Sequence, residues 1–198
     1  MNALLALSRQ IDALTERIGR SAIWIVLIVV LISAGNAIMR YAFNYSSNAL
    51  LEIQWYLFGL LFLSCSGYTL LRNEHVRIDL LSSKLSKRGQ AWIDVFGIIF
   101  FLMPMAIAIL MLSWPVFMHA FESGEMSNSA GGLIVWPARL MIPVGFALLI
   151  MQGVSELIKR IGFLQGRCPD PSEKPDAKSA EEQFIDMIKA RQQEGSKQ

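Results

Sequence analysis

VFGIIFFLMPMAIAILMLSWPVFMHAF, Val95 to Phe121, runs 27 residues without one Asp, Glu, Lys or Arg, and its reading decides the fold. A helix needs about 20 apolar residues to cross the roughly 30 Å hydrocarbon core of a bilayer. Working outward, Ile53–Leu71 and Ser21–Met39 are free of such charges over 19 residues each, and Leu140–Ser155 over 16. The 198-residue chain is 54% hydrophobic and only 17% charged, with a mean hydropathy of +0.43. Charged residues make up roughly 25% of an ordinary soluble domain. A soluble enzyme, a secreted disulfide scaffold and a disordered chain are therefore excluded. The expected fold is all-α and integral to the membrane, with four spans at about 21–41, 49–71, 92–119 and 134–158.

Lys and Arg alternate between the connections. The leader holds Arg9, Arg17 and Arg20, the first loop only Arg40, and the second loop Arg72, Arg77, Lys84, Lys87 and Arg88. The third loop, His119 to Ala138, holds none, and the tail opens with Lys159, Arg160 and Arg167. Basic residues stay on the cytoplasmic side, so both termini are expected inside and loops one and three outside. Aromatic residues agree, with Trp24, Tyr68 and Trp92 at inner ends and Tyr41, Trp55, Tyr56, Trp114 and Trp136 towards outer ones. A cleavable signal peptide is the rival for the first run, but 19 apolar residues exceed the usual apolar region of one.

Three segments lie outside the 21–162 membrane domain or between its spans. Residues 1–20 place Leu4, Leu7, Ile11, Leu14 and Ile18 at helical spacing, which predicts an amphipathic helix, either on the inner membrane face or packed on the protein. Ile78, Leu81 and Leu85 predict a short amphipathic helix in the second loop, with Arg77, Lys84, Lys87 and Arg88 able to reach anionic lipid headgroups. Residues 163–198, with Pro169, Pro171 and Pro175 among polar residues, read as a cytoplasmic tail. Cys65 in a span and Cys168 in the tail are placed to stay free thiols.

An ionisable group at mid-membrane costs about 2.5–3.5 kcal/mol, so each one near a span needs an explanation. Glu52, beside Gln54 and Trp55, either pairs with a cation or sits in the headgroup layer; within the chain Arg139 is the partner expected at matching depth. Arg139 follows Pro137, which suits a first helical turn near Trp136, and it can also snorkel to phosphate. Asp94 opens the third helix, where the dipole favours a carboxylate. His119 with Glu122 and Glu125 does not define a metal site. His75 and Asp79, in the Arg72–Asp79 cluster with Glu74 and Arg77, are four apart and capable of proton transfer. The commoner use of such a cluster is to cap helices where a span meets the cytoplasm. Small residues, Ser33, Ala34, Gly35 and Asn36 on the first span and Gly59, Ser64, Ser66 and Gly67 on the second, suit close helix contact but outline no pathway.

Ser47-Asn48-Ala49-Leu50-Leu51-Glu52-Ile53-Gln54-Trp55-Tyr56-Leu57-Phe58, followed by Asn73-Glu74-His75-Val76-Arg77-Ile78-Asp79, resembles the small membrane subunit, DctQ type, of tripartite ATP-independent periplasmic (TRAP) transporters. Residues 124–132 and Trp136-Pro137-Ala138-Arg139 are similar to the branch labelled mannitol/chloroaromatic. The resemblance implies a bacterial inner-membrane complex. In it a periplasmic protein binds substrate, mostly organic acids, and a large permease subunit moves it with sodium while the small subunit supports the permease. By similarity Glu52, Trp55, Glu74, His75, Arg77 and Asp79 match the family motifs; together with Gln54, Arg72 and Arg139 they are the candidates for a subunit interface or a structural role, with membrane lipids as further partners and no cofactor, metal or nucleic acid expected. Two other readings stand beside it: a membrane enzyme using His75 and Asp79, and a small self-sufficient carrier or channel.

Overall fold

The computed structural model describes residues 2–45, 47–73 and 86–168. They form α1 (Asn2–Phe43), α2 (Asn48–Leu71), α3 (Lys87–Gly97) running through a π-helical turn at Ile98–Leu102 into α4 (Met103–Ser123), and α5 (Trp136–Leu164). Four rods, α3 and α4 counting as one, are long and apolar enough to cross a membrane. Among the described residues the β structure amounts to an isolated antiparallel bridge, Met126 to Ile134.

Successive rods reverse direction. The start of α1 and the end of α5 meet at one end, called here the terminal end, through Ser8 and Ser155. The α1–α2 link and the α4–α5 hairpin meet at the other, the loop end, through Asn48 and Ala130. Residues that tolerate a left-handed backbone follow each rod: Asn44 (φ 49°), Asn73 (φ 58°), Gly124 (φ 61°) and Gly166 (φ 70°). After α5 the turn closes when the amides of Gly166 and Arg167 donate to the carbonyls of Phe163 and Gly162.

The sequence places the leader beside the first span as a separate helix; the structure joins them. α1 is 42 residues without a break, about 63 Å long. Its packed face is also not the apolar one. Leu4, Leu7 and Leu14 are 44–48% exposed, whereas Ser8 and Thr15 are buried. The physical reason is packing: small polar side chains allow close helix approach, and Ser8 and Asp12 pair with Ser155 on α5.

α5 is the central rod. α1, α2 and α4 all pack on it, and its buried positions are mostly small or polar: Gly145, Gln152, Gly153, Ser155, Glu156, Arg160 and Gly162. Leu70, Ala106 and Leu149 join α2, α4 and α5 in the apolar core, with Leu102, Phe146 and Ile150 against them. Gly145 sets the α2–α5 distance, since a Cβ there would stand 2.6 Å from Leu63 Cβ and 3.2 Å from Leu63 O. The third rod begins at Lys87, and the Ser86 hydroxyl accepts the Gly89 N–H at 3.3 Å. Pro104 has no N–H for the carbonyl four residues back; the ladder widens just before it, where the Met103 N–H reaches Ile98 O. α5 begins at Trp136 with Pro137 in its first turn, as the sequence predicts.

Candidate functional site

Polar chemistry gathers at the two ends of the bundle. At the loop end, α4 and α5 are joined by a hairpin over residues 124–135, in which the Ser127 N–H donates to Leu133 O and the Val135 N–H to Glu125 O, both at 2.9 Å. Glu52, in the first turns of α2, takes this hairpin as its ligand. Its carboxylate accepts the Leu133 N–H at 2.7 Å and the Ser127 hydroxyl. Asn48 donates to Ala130 O at 3.0 Å and Tyr56 to Ile134 O at 3.2 Å, so three side chains of one α2 face hold the hairpin down. Gly132 makes this possible: a Cβ there would lie 2.9 Å from Glu52 Oε1 and 2.7 Å from Ser127 Cβ.

Arg139 makes a different bond. Its guanidinium forks onto Glu125, Nη1 to Oε2 at 2.6 Å and Nη2 to Oε1 at 2.7 Å. Whether Glu52 pairs with Arg139, left open by the sequence, is answered by these contacts: Arg139 binds Glu125, and Glu52 binds the hairpin. The hairpin places a backbone amide and a hydroxyl at Glu52 and brings Glu125 to the guanidinium, so each charge is satisfied locally.

At the terminal end, α1 is pinned to its neighbours by a polar strip. Gln152 Nε2 and Ser155 Oγ donate to Asp12 Oδ1 at 2.9 and 2.6 Å, and Lys159 Nζ lies 3.1 Å from Asp12 Oδ2 while also pairing with Glu156. Ser8 Oγ and Ser155 Oγ are 2.7 Å apart. Glu16 bridges Arg20, at 3.0 Å, and Arg72 beyond the end of α2. The Glu16 carboxylate pushes the Arg72 guanidinium further above its usual range, so Arg72 stays charged at any working pH. Arg160, buried with its side chain 4% exposed, reaches Asp94 on α3 at 2.5 Å. The helix begins at Lys87, so Asp94 lies about two turns inside it and not at its opening; the helix-dipole reading is corrected, and Asp94 instead neutralises a buried cation.

Of the sequence-predicted residues, Glu52 and Arg139 lie in the loop-end cluster and Arg72 in the terminal one. Gln54 bonds within its own helix, to Leu50 O, and Trp55 is 73% exposed. Glu74, His75, Arg77 and Asp79, the second-loop helix through Ile78, Leu81 and Leu85, and the tail beyond Cys168 lie outside the described residues. On α1, Gly35 meets nothing within 4 Å, whereas Gly67 on α2 packs against Leu148, Gln152 and Thr15. Among the described residues no group of His, Cys, Asp and Glu could hold a metal ion. Sequence reasoning missed Ser8, Asp12, Glu16, Gln152, Ser155, Glu156 and Lys159. The signal was present: Ser8, Asp12 and Thr15 recur at spacings of four and three, as do Gln152, Ser155, Glu156 and Lys159.

Four rods long and apolar enough to cross a membrane, with charge-free stretches between their polar ends, define a multi-pass membrane protein. The sequence matches the DctQ component of tripartite ATP-independent periplasmic transporters over residues 28–162. The chain belongs to that family: it is the small membrane subunit of a TRAP transporter, a non-enzymatic component of the inner membrane. The family works with a large permease subunit and a periplasmic binding protein. No curated protein and no solved structure matches.

Proposed function

We propose that this subunit is a non-transporting brace for the large permease, in a complex that imports organic acids with sodium. Its terminal end faces the cytoplasm and its hairpin end the periplasm, in keeping with the distribution of Lys and Arg. The observation that carries the reading is the separation of chemistry from the membrane interior. Every ion pair among the described residues sits at an end, and the four charge-free stretches between offer a solute no polar path. Apolar side chains face outward along all four rods, as lipid and a partner membrane protein require. Glu52, Gln54, Trp55, Arg72, Glu74, His75, Arg77, Asp79 and Arg139 serve structure or the subunit interface in this reading.

The test is recovery from native membranes together with topology. A tagged chain extracted in mild detergent brings the large permease with it, and a tag at either terminus is reached by protease only in inside-out vesicles. Recovery of the chain without a large multispan partner, or a terminus cut in intact spheroplasts, counts against the proposal.

A further inference from the structure

At the terminal end, α1 and α2 bring arginines together around a single carboxylate. Glu16 accepts Arg20 Nε at 3.0 Å and the guanidinium of Arg72, the residue that caps α2. Tyr68 lies flat on α1 at Gly19, where a Cβ would stand 2.2 Å from the ring, and the Arg72 guanidinium sits over that ring, 5.5 Å from its centroid. Glu16 and Tyr68 therefore fix Arg72 in place before any ligand arrives, which lowers the cost of binding one. Arg17, exposed one turn before Arg20, has no partner among the described residues. One carboxylate leaves the cluster positive. The Arg20 and Arg72 side chains are 75% and 40% exposed, and Glu16 takes only one nitrogen of each.

Planar guanidinium donors on a positive surface suit a phosphate oxyanion. What carries that phosphate is set by the next residues of α1. Arg20, Trp24, Leu27 and Leu31 follow one another at spacings of four, three and four, so they share one helical stripe. Trp24, Leu27 and Leu31 are 68%, 46% and 62% exposed. The stripe leads from the cations past an indole, a headgroup-depth side chain, and about 10 Å further along an apolar face. A soluble phosphate would use the arginines and leave the stripe bare, whereas a phospholipid uses both. The ammonium of phosphatidylethanolamine meets a surface of its own sign. We propose that Arg20 and Arg72, with Arg17 beside them, bind the phosphodiester of one anionic phospholipid whose acyl chain lies along Trp24, Leu27 and Leu31. The site needs the terminal end to lie at a membrane surface, and it stands whether or not the subunit is a brace.

The test uses the full chain, delipidated in mild detergent and titrated with phosphatidylglycerol or phosphatidylethanolamine while native mass spectrometry counts bound lipid. The expected result is a single-lipid adduct formed about five-fold more readily with phosphatidylglycerol. Arg20→Gln and Arg72→Gln each lower that adduct about five-fold, the weight of one basic residue at an anionic surface. Arg40→Gln makes the same charge change at the other end of α1 and leaves the adduct unchanged. Arg20 is a surface residue, so its variant keeps the fold even where Arg72→Gln loosens the α1–α2 contact. Glycerol 3-phosphate, which carries the phosphate without acyl chains, does not displace the lipid at equal concentration. Equal adducts of the two lipids, a phosphatidylglycerol adduct indifferent to Arg20→Gln, or displacement by glycerol 3-phosphate overturns the proposal. So does loss of the adduct when the large permease is bound, which would give the cluster to an acidic group of that partner.

Discussion

Removing the carboxylate from Asp94 gives the sharpest test of the terminal-end clamp. The Arg160 side chain is 4% exposed, its Nη1 lies 2.5 Å from Asp94 Oδ2, and its Nε has no partner. Asp94→Ala leaves the guanidinium inside the protein without its counter-charge, a change that costs about 3–5 kcal/mol where a pair is fully buried. Asp94 is 18% exposed, so water enters the vacated space and the lower end, about 3 kcal/mol, applies. At roughly 2–4 °C per kcal/mol for a chain of this size, the melting temperature falls by about 6–12 °C. Arg160→Met fills similar volume and leaves Asp94 where water can reach it, for a loss of about 1 kcal/mol. The double variant should then melt near Arg160→Met and well above the sum of the two losses, because removing the guanidinium removes the reason Asp94 is needed. Thermal unfolding in detergent followed by tryptophan fluorescence measures all four proteins. An Asp94→Ala protein that melts with the wild type, or additive losses in the double variant, refutes the reasoning.

Three further outcomes are expected. Glu52→Ala frees the Leu133 amide, so hydrogen exchange there accelerates while the middle of α2 stays protected; Arg139→Gln loosens Glu125 independently, and the two effects add, since the side chains bind different partners. Gly145→Ala drives a Cβ into Leu63 and lowers stability by about 1–3 kcal/mol, read as a lower melting temperature; an unchanged value means the α2–α5 contact is looser than described. Asp12→Ala removes the acceptor of Gln152, Ser155 and Lys159, so trypsin cuts faster at Arg9 and Arg17, and equal rates would show that the strip does not hold α1.

The four rods were legible because lipid imposes a length and a charge rule that the sequence obeys over whole stretches. The start of α5 was legible because Pro137 and Trp136 announce it. The inner contacts were harder to read. An apolar stripe over residues 4–18 reads as the buried face, but close helix approach instead turns Ser8 and Asp12 to α5 and Thr15 to Gly67 on α2. Glu52 stood out as a carboxylate needing an explanation. Its partners did not, because a backbone amide such as that of Leu133 carries no sequence signature and the hairpin that aims it is set by tertiary contacts. The Glu125–Arg139 pair escaped for the same reason: the two stand 14 positions apart and become neighbours only once the hairpin closes.

Flux measurements decide whether the solute passes through the partner subunit. The chain is reconstituted alone into proteoliposomes, and again with the large permease and the periplasmic binding protein, and uptake of labelled organic acid is followed under an inward sodium gradient. Uptake is expected from the complete complex and none above empty liposomes from this chain alone. Gradient-dependent uptake by the chain by itself would contradict that expectation.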